Sequence, residues 1–288
     1  MKLGLFAGLI LAGALPLATT QLAAPAAQAE AGPQNAQRLW ELMLQAKGGR
    51  ARLHEVRSIE EVDAVKRIGF PPAFKPGHKD TGSLMVRLFA FPDREWQWYD
   101  AGESVFGLSL DVYNLSLGTA YLAWGSDPVR TLSAQKGEDF KLWEAQLVYL
   151  SESEWVRPQP VRVITDDKMA KQFDIVETHF DGDYFRADFL LDKRTHLPAR
   201  MVTYRRNNGR GLRPILTETY EFLKYVSIDG VIIPSPWAFE LITGDRPVAC
   251  NFQVRLNVPY REEAFTTPPS VAAGPYAWQA GNAGTDGK

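Results

Sequence analysis

Cysteine is almost absent from this sequence, and charge of neither sign is in excess. The 288 residues include one cysteine, Cys250, and no internal run of eighteen apolar residues. A single thiol excludes an internal disulfide, and Cys250 lies too far along the chain for lipid attachment near the N-terminus. Lys and Arg number 32 against 34 Asp and Glu, giving a net charge of −2. Because nucleic-acid binding needs a concentrated cationic surface, we expect no nucleic-acid partner.

Catalytic and metal-binding motifs are also missing from the sequence. It contains no G-x-S-x-G, no H-E-x-x-H and no phosphate-cradling glycine loop. The histidines are scattered, without the carboxylate spacing of a metal site: His54, His78, His179 and His196. The aspartates at 166–167 and 181–183 lack the calcium-loop pattern, and solvated turns explain them. We therefore expect a protein that is not an enzyme, with no catalytic residue, metal or cofactor.

The first 29 residues have the pattern of a secretory signal peptide. Lys2 supplies a positive charge, Leu3 to Leu17 form an apolar stretch, and Ala27-Gln28-Ala29 is a small-x-small cleavage site. The alternative is a membrane anchor, but the stretch is about 15 residues long, against roughly 20 for a membrane-spanning helix. We expect cleavage near Ala29 and a soluble protein in the periplasm or outside the cell.

Two amphipathic helices and about ten strands are expected after the leader. The first helix begins at Pro33, shows an apolar face at helical spacing and ends before Gly48-Gly49, and the second covers Glu138 to Leu150. The strands are predicted at 84–91, 94–100, 105–115, 161–165, 173–180, 184–191, 199–206, 216–226, 231–243 and 252–258. Turn pairs between them, Asp181-Gly182, Asn208-Gly209 and Asp229-Gly230, favour antiparallel hairpins.

Four short phrases of the sequence share their order and spacing with one family. They are Lys47-Gly48-Gly49 before Leu53-His54-Glu55-Val56-Arg57-Ser58, then Leu191-Asp192-Lys193-Arg194-Thr195-His196-Leu197-Pro198, then Tyr220-Glu221-Phe222 before Ile228-Asp229-Gly230-Val231-Ile232-Ile233-Pro234, and last Asn257-Val258-Pro259 before Ala264-Phe265-Thr266-Thr267-Pro268. Together they resemble the outer-membrane lipoprotein carrier and sorting superfamily (LolA/LolB-like). None of the phrases is catalytic. The chain departs from the family's carrier in a Pro-rich insertion at 69–82 and in an extra tail.

The resemblance implies a mainly β (α+β) fold, in which a curved antiparallel half-barrel carries amphipathic helices on its concave face. It also implies an apolar cavity for lipid acyl chains. The expected division of the chain is a signal peptide at 1–29, one half-barrel domain at 30–270 and a disordered C-terminal tail at 271–288.

Candidate ligand-binding residues come from three predicted strands. Arg87 is the one charge in an otherwise apolar strand that also holds Phe89, and a desolvated arginine needs a carboxylate, a lipid headgroup or water. Trp96 and Trp98 share one strand face, and Trp237 shares another with Phe239. These aromatic residues line a ligand pocket or fill the core, and the sequence leaves both interpretations open.

Four arginines surround one predicted hairpin tip: Arg205, Arg206, Arg210 and Arg213. They form a docking site for an anionic membrane surface or a partner protein, or simply a solvated loop. The resulting hypothesis is a non-catalytic periplasmic carrier or binding protein for a lipid or an acylated protein. The alternative is a protein-interaction or sensor module of the cell envelope, without a ligand cavity.

Overall fold

The computed structural model describes residues 32–65, 83–100, 108–125, 127–133, 139–180, 185–206, 214–241, 248–250, 252–270 and 274–279. The predicted signal peptide, the Pro-rich insertion and two of the three predicted turn pairs lie outside these ranges. The third turn pair, Asp229-Gly230, lies inside them and has positive φ at both residues, 51° and 79°. It joins two paired strands, so this hairpin is confirmed.

The described residues contain three α-helices: α1, Pro33–Ala46; α2, Arg50–His54; and α3, Asp139–Tyr149. Helix α1 has proline in its first turn and buries one face at the predicted spacing, with Leu44 added to that face. It ends at two glycines with positive φ, Gly48 and Gly49. Gly48 is obligatory here, because a Cβ on it would lie 2.2 Å from the carbonyl oxygen of Gly230.

The described residues form sixteen strands rather than the predicted ten or so. In chain order these are β1, Ser58–Val65; β2, Ser83–Ala90; β3, Arg94–Asp100; β4, Leu108–Asn114; β5, Thr119–Trp124; β6, Arg130–Ser133; β7, Gln159–Ile164; β8, Phe173–Phe180; β9, Phe185–Asp192; β10, Pro198–Arg206; β11, Pro214–Phe222; β12, Tyr225–Ile228; β13, Val231–Pro234; β14, Trp237–Leu241; β15, Val248–Cys250; and β16, Gln253–Leu256.

Two seven-stranded antiparallel sheets make up most of the molecule. The first has the order β16-β1-β2-β3-β4-β5-β6 and the second the order β15-β14-β11-β10-β9-β8-β7, while β12 and β13 form a separate hairpin. Strands β15 and β16 follow each other in the chain, so the two sheets meet at that corner. In the described residues each sheet ends on edge strands and neither closes. The predicted class, mainly β with unclosed antiparallel sheets and few helices, is confirmed.

The strand prediction missed β1, β5, β6 and β15, and it merged strands that the chain separates. Strand β1 carries Glu60, Glu61 and Asp63, which break the apolar pattern, and β6 is exposed along its whole length. The predicted strand at 231–243 is interrupted at Ser235-Pro236, because proline lacks the N–H that a sheet ladder needs.

Buried apolar side chains form two clusters. The helix-side cluster holds residues from α1, α3 and both sheets, among them Trp40, Met43, Phe89, Phe189, Tyr220, Trp237 and Phe252. The tail-side cluster lies on the other face of the first sheet and includes Leu88, Trp96, Trp98, Leu110, Phe265 and Trp278. Both clusters are tightly packed, since Trp40, Trp96 and Trp278 are each at most 1% exposed.

Residues 274–279 pack against the first sheet through the tail-side cluster. Trp278 is buried, its carbonyl oxygen accepts a bond from the Arg261 amide at 2.8 Å, and Gln279 pairs with Tyr260. These residues are therefore part of the packed structure, in contrast to the disordered tail expected from residue 271. The domain boundary at 270 stays a prediction. No helix of the described residues is long and apolar enough to span a membrane.

Candidate ligand-binding interior

The predicted ligand-binding residues whose side chains are described divide between the helix side and the tail side of the first sheet. Arg87 and Phe89 point to the helix side of β2, where Phe89 is 2% exposed. Trp96 and Trp98 share a face, as predicted, but they belong to the tail-side cluster. Trp237 of β14 lies in the helix-side cluster, and the side chain of Phe239 is outside the described residues. The five residues whose side chains are described therefore do not line one pocket, and the binding role of all six stays a prediction.

Arg87 meets a carboxylate, one of the three partners expected for it. Its guanidinium forms an ion pair with Glu61 on the neighbouring strand, and the Glu61 side chain is 1% exposed. The same guanidinium lies over the rings of Phe252 and Phe89, at 5.0 and 5.3 Å from their centroids. Arg87 and Glu61 thus place a paired charge on the helix side of the first sheet, among aromatic rings.

Trp237 stands at the centre of an aromatic wall that joins the two sheets. Its ring centroid lies 5.6 Å from Tyr220 and 5.5 Å from Phe252, in tilted arrangements. Its indole Nε1 donates a hydrogen bond of 3.1 Å to the hydroxyl of Tyr149, the last residue of α3. Burial first, and then the negative charge of Glu61, raise the pKa of Tyr149 well above its usual range. The rings of Trp237, Tyr220 and Phe252 give the wall an apolar surface, and the Tyr149 hydroxyl adds a polar group where α3 ends.

Helix α3 covers the helix side of the second sheet. Trp143 packs edge-on against Phe180 and Phe185, with centroid distances of 6.1 and 5.3 Å. Phe180 and Phe185 are themselves stacked at 5.3 Å across the β8–β9 pair. Together with Tyr149 at its other end, Trp143 fixes the helix across a surface made of aromatic side chains.

A polar contact links the middle of α3 to strand β11. The Tyr220 hydroxyl lies within hydrogen-bond distance of both Glu144 of α3 and Glu218 of β11. Burial first, and then the charge of Glu218, raise the pKa of Glu144 well above 4.5. Arg205 opposes this shift from β10. Two carboxyl groups and a phenol therefore meet beneath the helix, next to the aromatic wall.

Of the four arginines predicted to dock a partner, Arg205 is the only one whose side chain the structure describes. It is half-buried, and its guanidinium lies over the ring of Phe185 at 5.7 Å. Arg205 therefore faces α3 and the helix-side cluster. Arg206 ends strand β10, and Arg210 and Arg213 lie outside the described residues, so a docking role for these three stays a prediction.

Several buried charged residues were not predicted from the sequence, and Lys47 and Glu152 are two of them. Lys47, which follows α1, is fully buried, and its ammonium nitrogen has no hydrogen-bond partner among the described residues. Burial lowers its pKa from 10.5 to about 7, and the ring of Tyr225 lies 5.6 Å away. Glu152 is 4% exposed and accepts bonds from Trp40 and Arg50 at 2.9 and 2.6 Å. Both positions follow a helix, where exposed charge is the usual expectation.

Two open grooves lie at the surface of the described residues. A groove of about 990 Å³ runs between the first turns of α1 and the adjoining ends of β7 and β8. A second groove, of about 470 Å³, is lined by Trp40, Arg50, His54 and Glu152, together with residues 157–160. Neither groove includes a residue predicted to bind ligand. Side chains of α1 and α3 occupy the helix side of the sheets.

The fold and the site together define a class: an antiparallel half-barrel whose interior is filled by helices and lined by aromatic residues. No family model matches the sequence, and no curated protein matches it.

Solved structures with a similar fold include proteins from three bacteria. A LolA superfamily protein from Nitrosomonas europaea has a TM-score of 0.48 at 13% identity, over 81% of this chain and 97% of that one. A DUF1329 family protein from Desulfovibrio piger gives 0.45 at 13%, over 81% and 97%. A domain described as an outer-membrane lipoprotein-sorting protein, from Vibrio parahaemolyticus, gives 0.43 at 14%, over 80% and 97%.

Proposed function

We propose that this chain is a non-catalytic carrier or binding protein for a lipid or a lipid-modified protein, working in the periplasm after cleavage near Ala29. The observation that carries the proposal is the position of α3 on a wall of aromatic side chains. Tyr149 contacts that wall at Trp237, and Trp143 packs on Phe185 of the second sheet. Displacing an 11-residue helix would uncover this apolar surface between the two sheets.

The energy of acyl-chain burial is sufficient for this function. A sixteen-carbon chain contributes about 0.8 kcal/mol per CH₂, or on the order of 10 kcal/mol before the costs of ordering. The ligand needs no polar recognition for affinity, which agrees with the absence of any sequence motif beyond the structural phrases. Because the interior is filled in this state, binding requires α3 to move away from the wall.

The second candidate is a protein-interaction or sensor module of the cell envelope. Two observations favour it. Side chains of α1 and α3 pack against the sheets on the helix side, and neither surface groove is lined by Trp237. In that function α3 stays in place and a partner binds outside. The two candidates therefore differ in whether the helix-side cluster ever opens.

A fluorescent hexadecanoic acid titrated into the mature protein tests the proposal. We expect saturable binding at one probe per chain, competed by unlabelled phospholipid, with quenching of tryptophan emission. Absence of saturable binding up to the solubility limit of the probe would contradict the carrier function and favour the interaction module.

A further inference from the structure

Polar side chains of helix α3 contact the two sheets at two points, one at the end of the helix and one in its middle. At its end, the Tyr149 hydroxyl accepts a bond from the Trp237 indole and faces Glu61 and Arg87 of the first sheet. In its middle, Glu144 meets Tyr220 and Glu218. Aromatic contacts such as those of Trp143 do not depend on pH. The contact in the middle of α3 contains two carboxyl groups, and its strength therefore depends on their protonation.

The contact between Tyr220, Glu144 and Glu218 has one hydroxyl proton for two hydrogen bonds, so a second proton is needed to form both. The Tyr220 hydroxyl carries one proton and can donate it to one carboxylate at a time, yet it contacts both Glu144 and Glu218. If both carboxylates were ionised, two negative charges would face each other next to a buried phenol, which is 3% exposed. A proton on one carboxyl group removes that repulsion and supplies the missing donor.

The remaining charges near Glu144 do not cancel the pair. Of the described cations, Arg205 of β10 lowers the pKa of Glu144 by its attraction, and burial together with the charge of Glu218 outweighs it. Arg87 is already paired with Glu61 at the other end of α3. Among the side chains that the structure describes, one arginine therefore faces two carboxyl groups, and a proton can relieve this imbalance of charge.

We propose that Glu144 holds a proton where it meets the Tyr220 hydroxyl and the carboxylate of Glu218, and that loss of this proton to solvent releases α3 from the second sheet. Helix α3 is then a cover that stays closed under acidic conditions and opens as the pH rises. The inference rests on the proposed function in one respect, that α3 is the element that uncovers the binding surface. It adds the residues that regulate this step.

Hydrogen exchange of the ligand-free protein tests the gate. Amide exchange in α3 and in α1 is measured at about pH 5 and about pH 9, with each rate divided by the intrinsic rate at that pH. We expect protection of the α3 amides to fall about tenfold or more at the higher pH, while protection of α1 is retained. Lys47 also titrates in this range, but it lies at the end of α1 and is present in every variant.

The variants assign the effect to the pair. Glu144→Gln removes the ionisable group and should leave α3 equally protected at both pH values, and Glu218→Gln should do the same should the first variant fail to fold. Glu221→Gln is the matched control, because Glu221 lies on the same strand but pairs with Arg200; it should keep the wild-type response. A flat wild-type profile, or an unchanged pH response in both Gln variants, would overturn the inference.

Probe binding separates this result from the proposed function. N-phenyl-1-naphthylamine uptake is followed over the same pH range in wild type and in Glu144→Gln. If α3 opens with pH but no probe binds, the gate stands and the carrier function fails. If the probe binds equally at all pH values while exchange in α3 stays constant, the carrier function stands and the gate is wrong.

Discussion

Trp40 and Glu152 are joined by a buried hydrogen bond, in which the indole Nε1 donates to the carboxylate at 2.9 Å across 112 residues of sequence. The same carboxylate accepts from Arg50 Nε at 2.6 Å and lies 3.0 Å from His54 Nε2. Glu152 thereby ties α1 and α2 to the segment that follows α3. Burial acts to raise the pKa of Glu152, but the bonds from Arg50, Trp40 and His54 outweigh it, and the pKa is lowered from 4.5.

Replacing Glu152 by Gln should destabilise the fold by about 1–3 kcal/mol, because a charge-assisted acceptor for three donors is lost. The carboxylate contribution is present above about pH 4.5 and is lost as the pH falls through the lowered pKa of the folded state. Urea unfolding at neutral and acidic pH measures both effects. Glu154→Gln is the control, since Glu154 forms an exposed pair with Arg57 and its loss should leave the midpoint unchanged. An equal loss in both variants would contradict this role for Glu152.

Lys47→Met should stabilise the protein at neutral pH. Burial lowers the pKa of Lys47 from 10.5 to about 7, so the unfolded chain binds one more proton than the folded chain between these values. Stability therefore rises with pH across that window, and below about pH 7 the full cost, on the order of 5 kcal/mol, is present.

Thermal unfolding of Lys47→Met between about pH 7 and pH 10 measures the change. The gain should be largest at the lower pH and should shrink as the pH rises. Lys224→Met, at an exposed position, serves as the control and should change nothing. A destabilised Lys47→Met protein would show that the amine has a partner essential to the fold.

The Arg87 and Glu61 pair predicts a strongly non-additive pair of substitutions. Arg87→Met leaves the Glu61 carboxylate buried without its counter-charge and should cost about 3–5 kcal/mol. Adding Glu61→Gln should recover much of that loss, because the buried charge is gone. A double-mutant cycle by denaturant unfolding measures the coupling, and simple additivity of the two changes would contradict a direct pair.

Trp98 and Trp237 form a matched pair for separating core from binding surface. Both are nearly buried, at 7% and 6% exposure, but they lie in the tail-side and helix-side clusters respectively. Leu at either position should reduce stability through lost packing, by about 2–4 kcal/mol. Trp237→Leu alone should also weaken binding of the fluorescent fatty acid. If Trp98→Leu weakens binding equally at matched folded fraction, the tail-side face takes part in binding.

Helix α1 and the hairpin at Asp229-Gly230 could be predicted because each has a local cause. Apolar spacing and Gly48-Gly49 define the helix, and two residues that tolerate positive φ define the turn. Alternation also predicted that Trp96 and Trp98 share a face. The alternation did not predict which face of the first sheet packs against the helices. Both faces of the neighbouring strand β2 are largely apolar, and the residues that cover each face come from distant parts of the chain.

The polar contacts of the interior could not be predicted from the sequence, because they join segments that are distant in the chain. Glu144, Glu218 and Tyr220 come from α3 and β11, and nothing in either segment alone indicates that the carboxyl groups meet. Burial of Lys47 likewise depends on Tyr225 of the separate hairpin. Such contacts depend on tertiary packing. The strand period of 2 and the helix period of 3.6 predict which face a residue lies on, but not which distant residue it contacts.

Native mass spectrometry of the purified mature protein, followed by organic extraction and lipid analysis of what co-purifies, tests the central claim most directly. The carrier function predicts a stoichiometric adduct that contains an acyl chain, either bound on isolation or formed after incubation with phospholipid. A protein that keeps its unliganded mass after that incubation, at a pH where α3 exchange shows the helix open, would contradict the claim and favour the interaction module.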